Sequence, residues 1–455
     1  MNYSKRIVDL LLCIMMIAML GLTSCSSNNP AVNSQNGSGG QTGKKKVLEI
    51  SWFEGGNGKE YIEYAIKKFQ EAHPDLEIKA DISPNNAETL RPKFVAGNPP
   101  DVIMANYSNL DYFALIADGQ LAPIDDVLAS PVPDDKSKTL EEIFIPGILD
   151  RGESNGKRYI LPGFVHYYGL WYDKTLFDKK GWNVPENYDE WVNVSEQIKK
   201  SAEMSPFTYQ GLYPSYLLRT LFFPMVASYG GTAAIDNIDN LVPGAWQSDA
   251  VINAAKDIRA YTDKYLMDGT TALNHTQAQM EFINHRAAMI SCGTYLENEM
   301  KGNWPDDFDL KFIFAPVRNN GNSNKKYSWA TTDFISIPSK AKNPEMAKEF
   351  LKFLYTRDVR TAAAEKVGGV YPIIGGADGF EGVLPASVVY ANSMISKDNV
   401  NVIFGKYEIW YKTLYKKAQD SLTGLVTGKY TPEQFAKEVE AEAERVRKDD
   451  SIVKH

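Results

Sequence analysis

Val47-Leu48-Glu49-Ile50-Ser51-Trp52 reads as a β-strand, and the Gly55-Gly56-Asn57-Gly58 loop follows it directly. Next comes a stretch with Ile62, Ala65, Ile66 and Phe69 on one face at helical spacing. A second strand is expected near Leu76 and Ile82, and a third at Asp101-Val102-Ile103-Met104, behind Pro99-Pro100. Strand, helix, strand, helix is the rhythm of an open parallel sheet, which places the protein in the α/β class. Ligands of such sheets bind beyond the carboxyl ends of the strands. That points to Trp52-Phe53-Glu54 and to Ala105-Asn106-Tyr107-Ser108.

Further along, a polar turn at Asn155-Gly156-Lys157 precedes Tyr159-Ile160-Leu161-Pro162 and the aromatic run 164–172. Asn187 and Glu190 form a capping-box pattern for a helix that buries Trp191, Val194 and Ile198. Strands are expected at Ala287-Ala288-Met289-Ile290, at Phe312-Ile313-Phe314-Ala315-Pro316 and at Phe334-Ile335-Ser336-Ile337-Pro338. Asn343 as cap and Pro344 at the first position start a helix with Ala347, Phe350, Leu351 and Leu354 as its stripe. Thr431, Pro432 and Gln434 start a last helix in the same way, with Phe435, Val439 and Val446 facing inward. The chain has no internal repeat.

Before the first strand, Lys5 and Arg6 precede an apolar run over 10–22 that ends in Leu22-Thr23-Ser24-Cys25. At 13 residues the run is shorter than the about 20 a membrane span requires, so 1–24 is expected to be an export signal with a lipobox. Cys25 is the expected lipidation site, and the Ser/Asn/Gly-rich segment up to residue 46 is expected to be a tether. Of the three cysteines, Cys13 falls in the signal and Cys25 takes the lipid. Cys292 then stands alone, so no intramolecular disulfide is expected. About 410 residues follow, more than one core usually supports, so two domains are expected.

The net charge of -8 argues against nucleic acid as a partner, because a phosphate-binding surface needs clustered Lys and Arg. His73, His166, His275, His285 and His455 show no His/Cys spacing typical of zinc, so neither a metal nor another cofactor is expected. The 25 Tyr and 8 Trp suit a site that stacks apolar ring faces while offering hydroxyl or N–H groups to polar edges.

Five segments, in order, resemble the family 1, maltose-binding-protein-like extracellular solute-binding proteins of carbohydrate ABC importers. They are the Trp52 strand with its Gly-rich loop, and Pro99-Pro100-Asp101-Val102-Ile103-Met104. The third is Gly156-Lys157-Arg158-Tyr159-Ile160-Leu161-Pro162 with Gly169-Leu170-Trp171-Tyr172-Asp173-Lys174. Ala287-Ala288-Met289-Ile290-Ser291-Cys292-Gly293-Thr294-Tyr295 is the fourth, and Phe334-Ile335-Ser336-Ile337 with Asn343-Pro344-Glu345-Met346-Ala347 the fifth. The stretches 166–172 and 293–300 look most like the branch that binds N-acetylglucosamine and its dimer, chitobiose.

The resemblance implies a two-lobed, type II periplasmic-binding-protein-like fold with the ligand in the cleft between α/β lobes. The expected division is 47–161 plus 286–338 for one lobe and 162–285 plus 339–455 for the other. It further implies a monomer, held by its lipid on the outer face of the cytoplasmic membrane, that carries a sugar to membrane permease subunits. The expected ligand contacts are Trp52, Glu54, Asn106, Tyr107, Ser108, His166, Tyr168, Tyr295, Glu297, Trp329, Asp333 and Trp410. Tyr295 falls where the family presents an aromatic platform, usually Trp. Trp329 and Asp333 suggest a sugar clamp, and Trp410 an aromatic from the second lobe. A secreted glycoside hydrolase is the enzyme alternative, since it needs aromatics and two carboxyl groups across a cleft. A receptor for a non-sugar solute is the other.

Overall fold

A computed structural model describes residues 46–318, 326–397 and 399–454. The expected signal segment, Cys25 and nearly all of the tether lie outside the described residues. Strand β1 (Lys46–Phe53), helix α1 (Glu60–Ala72), strand β2 (Leu76–Ser83), helix α2 (Asn86–Val95) and strand β3 (Val102–Met104) follow one another as expected. β1 lies between β2 and β3 and pairs with both in parallel. The helix α1 forms because Tyr61, Ile62, Ala65 and Phe69 line one face and bury together on the sheet.

Two long strands carry the sheet from one lobe into the other. Strand Leu161–Asp173 pairs over its first half with strand Lys326–Ser336, from Leu161↔Ile335 to Tyr167↔Ala330. Over its second half it pairs with strand Ala287–Gly293, from Tyr168↔Gly293 to Tyr172↔Met289. Strand Lys326–Ser336 reaches β3 through Ile335 and Ser336 at its end. Its beginning pairs with strand Val400–Ile403.

Buried residues form two cores. One gathers Leu48, Ile50, Trp52, Ile62 and Phe69 with Phe350, Leu351, Leu354 and Val359. The other gathers Trp191, Val194, Ile198, Phe207, Trp246 and Tyr261 with Leu422, Phe435 and Val439. Strand Ala287–Gly293 also pairs with strand Ser205–Thr208, and its side chains divide between the two cores, Ala288 and Met289 in the second and Ile290 and Cys292 in the first. Helix Pro344–Phe353, expected in the second lobe, packs in the first, where the Phe350 and Phe353 rings lie 5.2 and 5.3 Å from Phe69. An apolar stripe shows that a helix is packed, and not against which sheet.

The helix caps are as expected in two cases out of three. Asn187 caps its helix, accepting from the Glu190 N–H at 3.0 Å, but the expected box does not close, because the Glu190 carboxylate accepts from the Glu186 N–H at 2.9 Å instead. Thr431 and Gln434 form the reciprocal box. Asn343 does not cap its helix: its side-chain amide donates to the Val47 carbonyl, and its N–H donates to Asp101 Oδ1 at 2.8 Å, tying the helix start to β1.

Candidate functional site

A cavity of about 480 Å³ opens where β1, β3 and the two crossing strands meet elements of the second core. That volume lies in the ordinary range for a small-ligand site. β1 ends at Phe53, and the glycine loop turns along the cavity with Gly55, Gly56, Asn57 and Gly58 on its wall. A Cβ on Gly56 would stand 2.3 Å from Glu299 Oε1, so only glycine lets the loop approach that carboxylate.

Asn106, Tyr107, Ser108, His166, Tyr168, Tyr295 and Asp333 all line the cavity. Asn106 Oδ1 accepts from the Ser108 N–H at 2.9 Å, which fixes the turn after β3. The Tyr107 ring stacks on Phe334 at 5.0 Å. His166, opposite Thr331 in the strand pair, lies 3.3 Å through Nε2 from the Asn57 amide nitrogen. Burial pushes the His166 pKa down to about 4 against some opposition from Glu299, so the imidazole is neutral at physiological pH. With the Asn57 amide donating to Nε2, the ring proton sits on Nδ1.

Tyr295 meets His166 edge-on at 5.3 Å and Tyr168 at 6.2 Å. Gly293 leaves room for that ring, because a Cβ there would come within 2.4 Å of it. Asp333 occupies the irregular step between Thr332 and Phe334, where the pairing register shifts. Part of its surface reaches the cavity, yet burial pushes its carboxyl up to about 7, partly offset by the Phe164 N–H.

Five expected contacts fall outside the cavity wall. Trp52 is buried in the first core and donates its indole N–H to the Tyr61 hydroxyl at 2.8 Å. Successive strand side chains alternate faces, so Phe53 is the residue that lines the cavity. Glu54 turns toward Lys59 at 4.0 Å. Glu297 accepts from the N–H and hydroxyl of Ser387 at 3.2 and 2.7 Å, serving the start of helix Ala386–Ser396. Trp329 is wholly buried, 4.6 Å from Phe223, with Gly405 against its ring. Trp410 packs on Phe113 at 6.1 Å, with the Lys406 ammonium 5.2 Å from its ring centre.

Other residues take their places. Glu299 pairs with His275 at 2.6 Å and accepts from Gln279 at 2.8 Å, while His275 Nδ1 meets the Tyr216 hydroxyl at 2.8 Å. Arg219 comes from a π-helical turn, Leu218–Phe222, a distortion frequent at functional sites. It donates to the hydroxyls of Tyr107, Tyr168 and Tyr415 at 3.2, 3.1 and 3.1 Å, and to Glu408 at 2.9 Å. Tyr213, about half exposed, stands on the cavity wall. A buried arginine among tyrosines has no periodic signature; the nearest signal was the aromatic excess. Among the described residues, no group of His, Cys, Asp and Glu stands in position to hold a metal, and no helix is long and apolar enough to cross a membrane.

Two α/β lobes joined by crossing strands, with a polar, tyrosine-lined cavity between them, define a receptor that encloses a solute. Comparison with known proteins agrees. Residues 55–361 match the family model described as bacterial extracellular solute-binding protein. The diacetylchitobiose-binding protein NgcE of Streptomyces coelicolor is 24% identical over 96% of this chain and 95% of its own length. The multiple sugar-binding protein of Streptococcus mutans is 23% identical over 75% of this chain and 78% of its own. Among solved structures, a chitin oligosaccharide-binding protein superposes with a TM-score of 0.70 at 19% identity, covering 89% of this chain and 99% of its own. The GacH receptor of Streptomyces glaucescens gives 0.69 at 18%, covering 89% and 100%. The chain belongs to the bacterial extracellular solute-binding proteins. It is a receptor of the ABC-importer class and not an enzyme.

Proposed function

We propose that this receptor captures an oligosaccharide or amino sugar, with N-acetylglucosamine or chitobiose as the preferred ligand, and delivers it to its membrane permease. The observation that carries the reading is the cavity wall, where Tyr107, Tyr168, Tyr213, Tyr216, Tyr295 and Tyr415 alternate with Asn106, Ser108, Asp333 and Glu299. Tyrosine faces cover the apolar faces of pyranose rings, while amides, hydroxyls and carboxylates pair with sugar hydroxyls. The similarity to a diacetylchitobiose-binding protein over nearly the whole chain supports the narrower choice of sugar.

In this reading Asn106, Tyr107, Ser108, His166, Tyr168, Tyr295 and Asp333 contact the ligand, joined by Arg219, Glu299 and Tyr213. The two lobes close on it by bending of the crossing strands. The protein acts as a monomer, anchored through a lipid on Cys25 to the outer face of the cytoplasmic membrane. A thermal-shift screen of the purified protein against N-acetylglucosamine, chitobiose, maltose and xylobiose tests the reading. A ligand that binds only the folded state raises the melting temperature when its concentration is well above its Kd. A shift with the N-acetylated sugars alone is the expected result. A shift with maltose or xylobiose alone overturns the choice of sugar, and no shift with any carbohydrate overturns the reading itself.

A further inference from the structure

The polar groups around Arg219 in the cavity are not a neutral mixture of donors and acceptors. Arg219 has only N–H groups to offer, and three of its neighbours, Tyr107, Tyr168 and Tyr415, each receive one of them on the phenol oxygen. A hydroxyl that accepts from a guanidinium still has its own O–H to give, and the guanidinium polarises that O–H into a stronger donor. Among the described residues, no oxygen within hydrogen-bonding distance takes the O–H of Tyr107. The Tyr415 hydroxyl likewise accepts from Arg219, at 3.1 Å.

The charge beneath this cluster has the same sense. Arg151 and Arg219, both buried, share the single carboxylate of Glu408 at 2.9 Å each. Asp239 is engaged by the backbone N–H groups of Lys406 and Tyr407 at 2.9 and 2.8 Å, and Asp111 acts on Lys412. The Lys412 ammonium bonds the Tyr107 carbonyl at 3.1 Å, adding a further cation behind the tyrosine. The carboxyl groups that reach the cavity, Asp333 and Glu299, the latter held through Oε2 by His275 and Gln279, come instead from the strand that returns toward β3 and from the short helix Leu296–Glu299.

From this we infer that the Arg219–Tyr107–Tyr415 cluster is a subsite for a carbonyl oxygen of the ligand, supplied by an acetamide or a carboxylate on the sugar. A carbonyl oxygen has two lone pairs and no proton, so it can take the O–H groups of Tyr107 and Tyr415 together without conflict. A sugar hydroxyl placed there can take the same O–H groups, but its own proton then lies against a ring of donors and stays unpaired once the lobes close on the ligand. The subsite thereby selects for carbonyl-bearing sugars, while Asp333 and Glu299 remain to accept from ring hydroxyls. The inference rests on the reading of the ligand as a carbohydrate.

The test is isothermal titration calorimetry with the parent protein, Tyr107→Phe and Tyr415→Phe, against N,N′-diacetylchitobiose, cellobiose and cellobiouronic acid. Both variants keep the aromatic ring and remove one donor. The expected result is that the parent binds one of the carbonyl-bearing sugars at least about tenfold more tightly than cellobiose. Each variant then loses about tenfold for that sugar, with cellobiose unchanged within about twofold, as the loss of one buried hydrogen bond requires. The sugar that suffers the loss identifies the acetamide or the carboxylate as the source. Variants that bind the carbonyl-bearing sugar as the parent does, or that weaken all sugars alike, overturn the subsite while leaving the carbohydrate reading intact. If cellobiose binds the parent as tightly as the other two, the subsite is likewise overturned. Binding of none of the three, with no shift in the wider carbohydrate screen, removes the reading on which it rests.

Discussion

Replacing Glu408 with Gln removes the one carboxylate shared by two buried guanidiniums. Glu408 Oε1 accepts from Arg151 and Oε2 from Arg219, both at 2.9 Å, and the Glu408 and Arg151 side chains are each 1% exposed. Gln has nearly the same volume, so no cavity opens. Its amide, however, has one acceptor oxygen for two guanidiniums, and its NH₂ group must face one of them. Breaking a buried pair by removing one partner costs about 3–5 kcal/mol, because the remaining charges lose their compensation in a medium that solvates them poorly. For a folded body of about 410 residues, an unfolding entropy of about 2.1 cal/mol/K per residue gives about 0.9 kcal/mol/K. The melting temperature should therefore fall by about 3–6 °C. Differential scanning calorimetry at neutral pH reads this directly, with Glu345→Gln as control. Glu345 is 84% exposed and pairs with Lys348 on the surface, so its loss should move the transition by less than about 1 °C. Because the Glu408 pairs are shielded from solvent, the fall should persist at about 0.5 M salt. A fall below about 1 °C for E408Q would refute the reasoning and mean that water reaches the pair.

The remaining predictions concern titration, packing and thiol accessibility. Asp333 has its carboxyl raised from 3.8 to about 7 in the folded protein, so the stability it contributes is complete below about pH 4 and is lost as pH rises through about 7. Urea titrations should therefore show the parent gaining on Asp333→Asn as pH falls from 8 to 5, and parallel curves would contradict this. His166 is lowered from 6.5 to about 4, so its contribution is present above pH 6.5 and lost as pH falls toward 4. His166→Gln should flatten that acid limb without changing stability at pH 8. Gly405→Ala would set a methyl 1.8 Å from the Trp329 ring, and overpacking of this kind costs about 1–3 kcal/mol. A lowered melting temperature with unchanged sugar affinity is expected, and a large change in affinity alone would return Trp329 to the binding site. Cys292 is wholly buried, and burial pushes its thiol pKa up, so alkylation mapped by mass spectrometry should label it only after unfolding.

Much of the architecture was legible because local physics imposes it. Alternation made β1 readable as a strand, a short continuous apolar run did the same for Ala287–Gly293, and the apolar stripes at 62–69 and 347–354 made helices readable, since burial acts on each element's own face. Side-chain direction was less legible. Trp52 and Phe53 are equally aromatic, and only the sheet decides which of them faces the cavity. Glu297 and Glu299 sit on one short turn, and which carboxylate reaches the cavity depends on where Ser387 and His275 lie. The expectation for Trp329 rested on its position before an apolar run. The strand begins eight residues earlier than that run, inside the second core.

By itself the sequence determined the α/β class, the order of the elements from Lys46 onward and the aromatic, polar character of the site, all of which depend on neighbours within a dozen residues. Tertiary structure alone decided how Ala287–Gly293 divides between the two cores, where Pro344–Phe353 packs, and which side chains met in the cavity. Arg219, Tyr107 and Tyr415 are separated by more than 100 residues in each pairing, and so are Arg151 and Glu408. Such contacts exist only once non-local strands have paired and two cores have closed. Their energies depend on the water those cores exclude, which no local pattern of residues records.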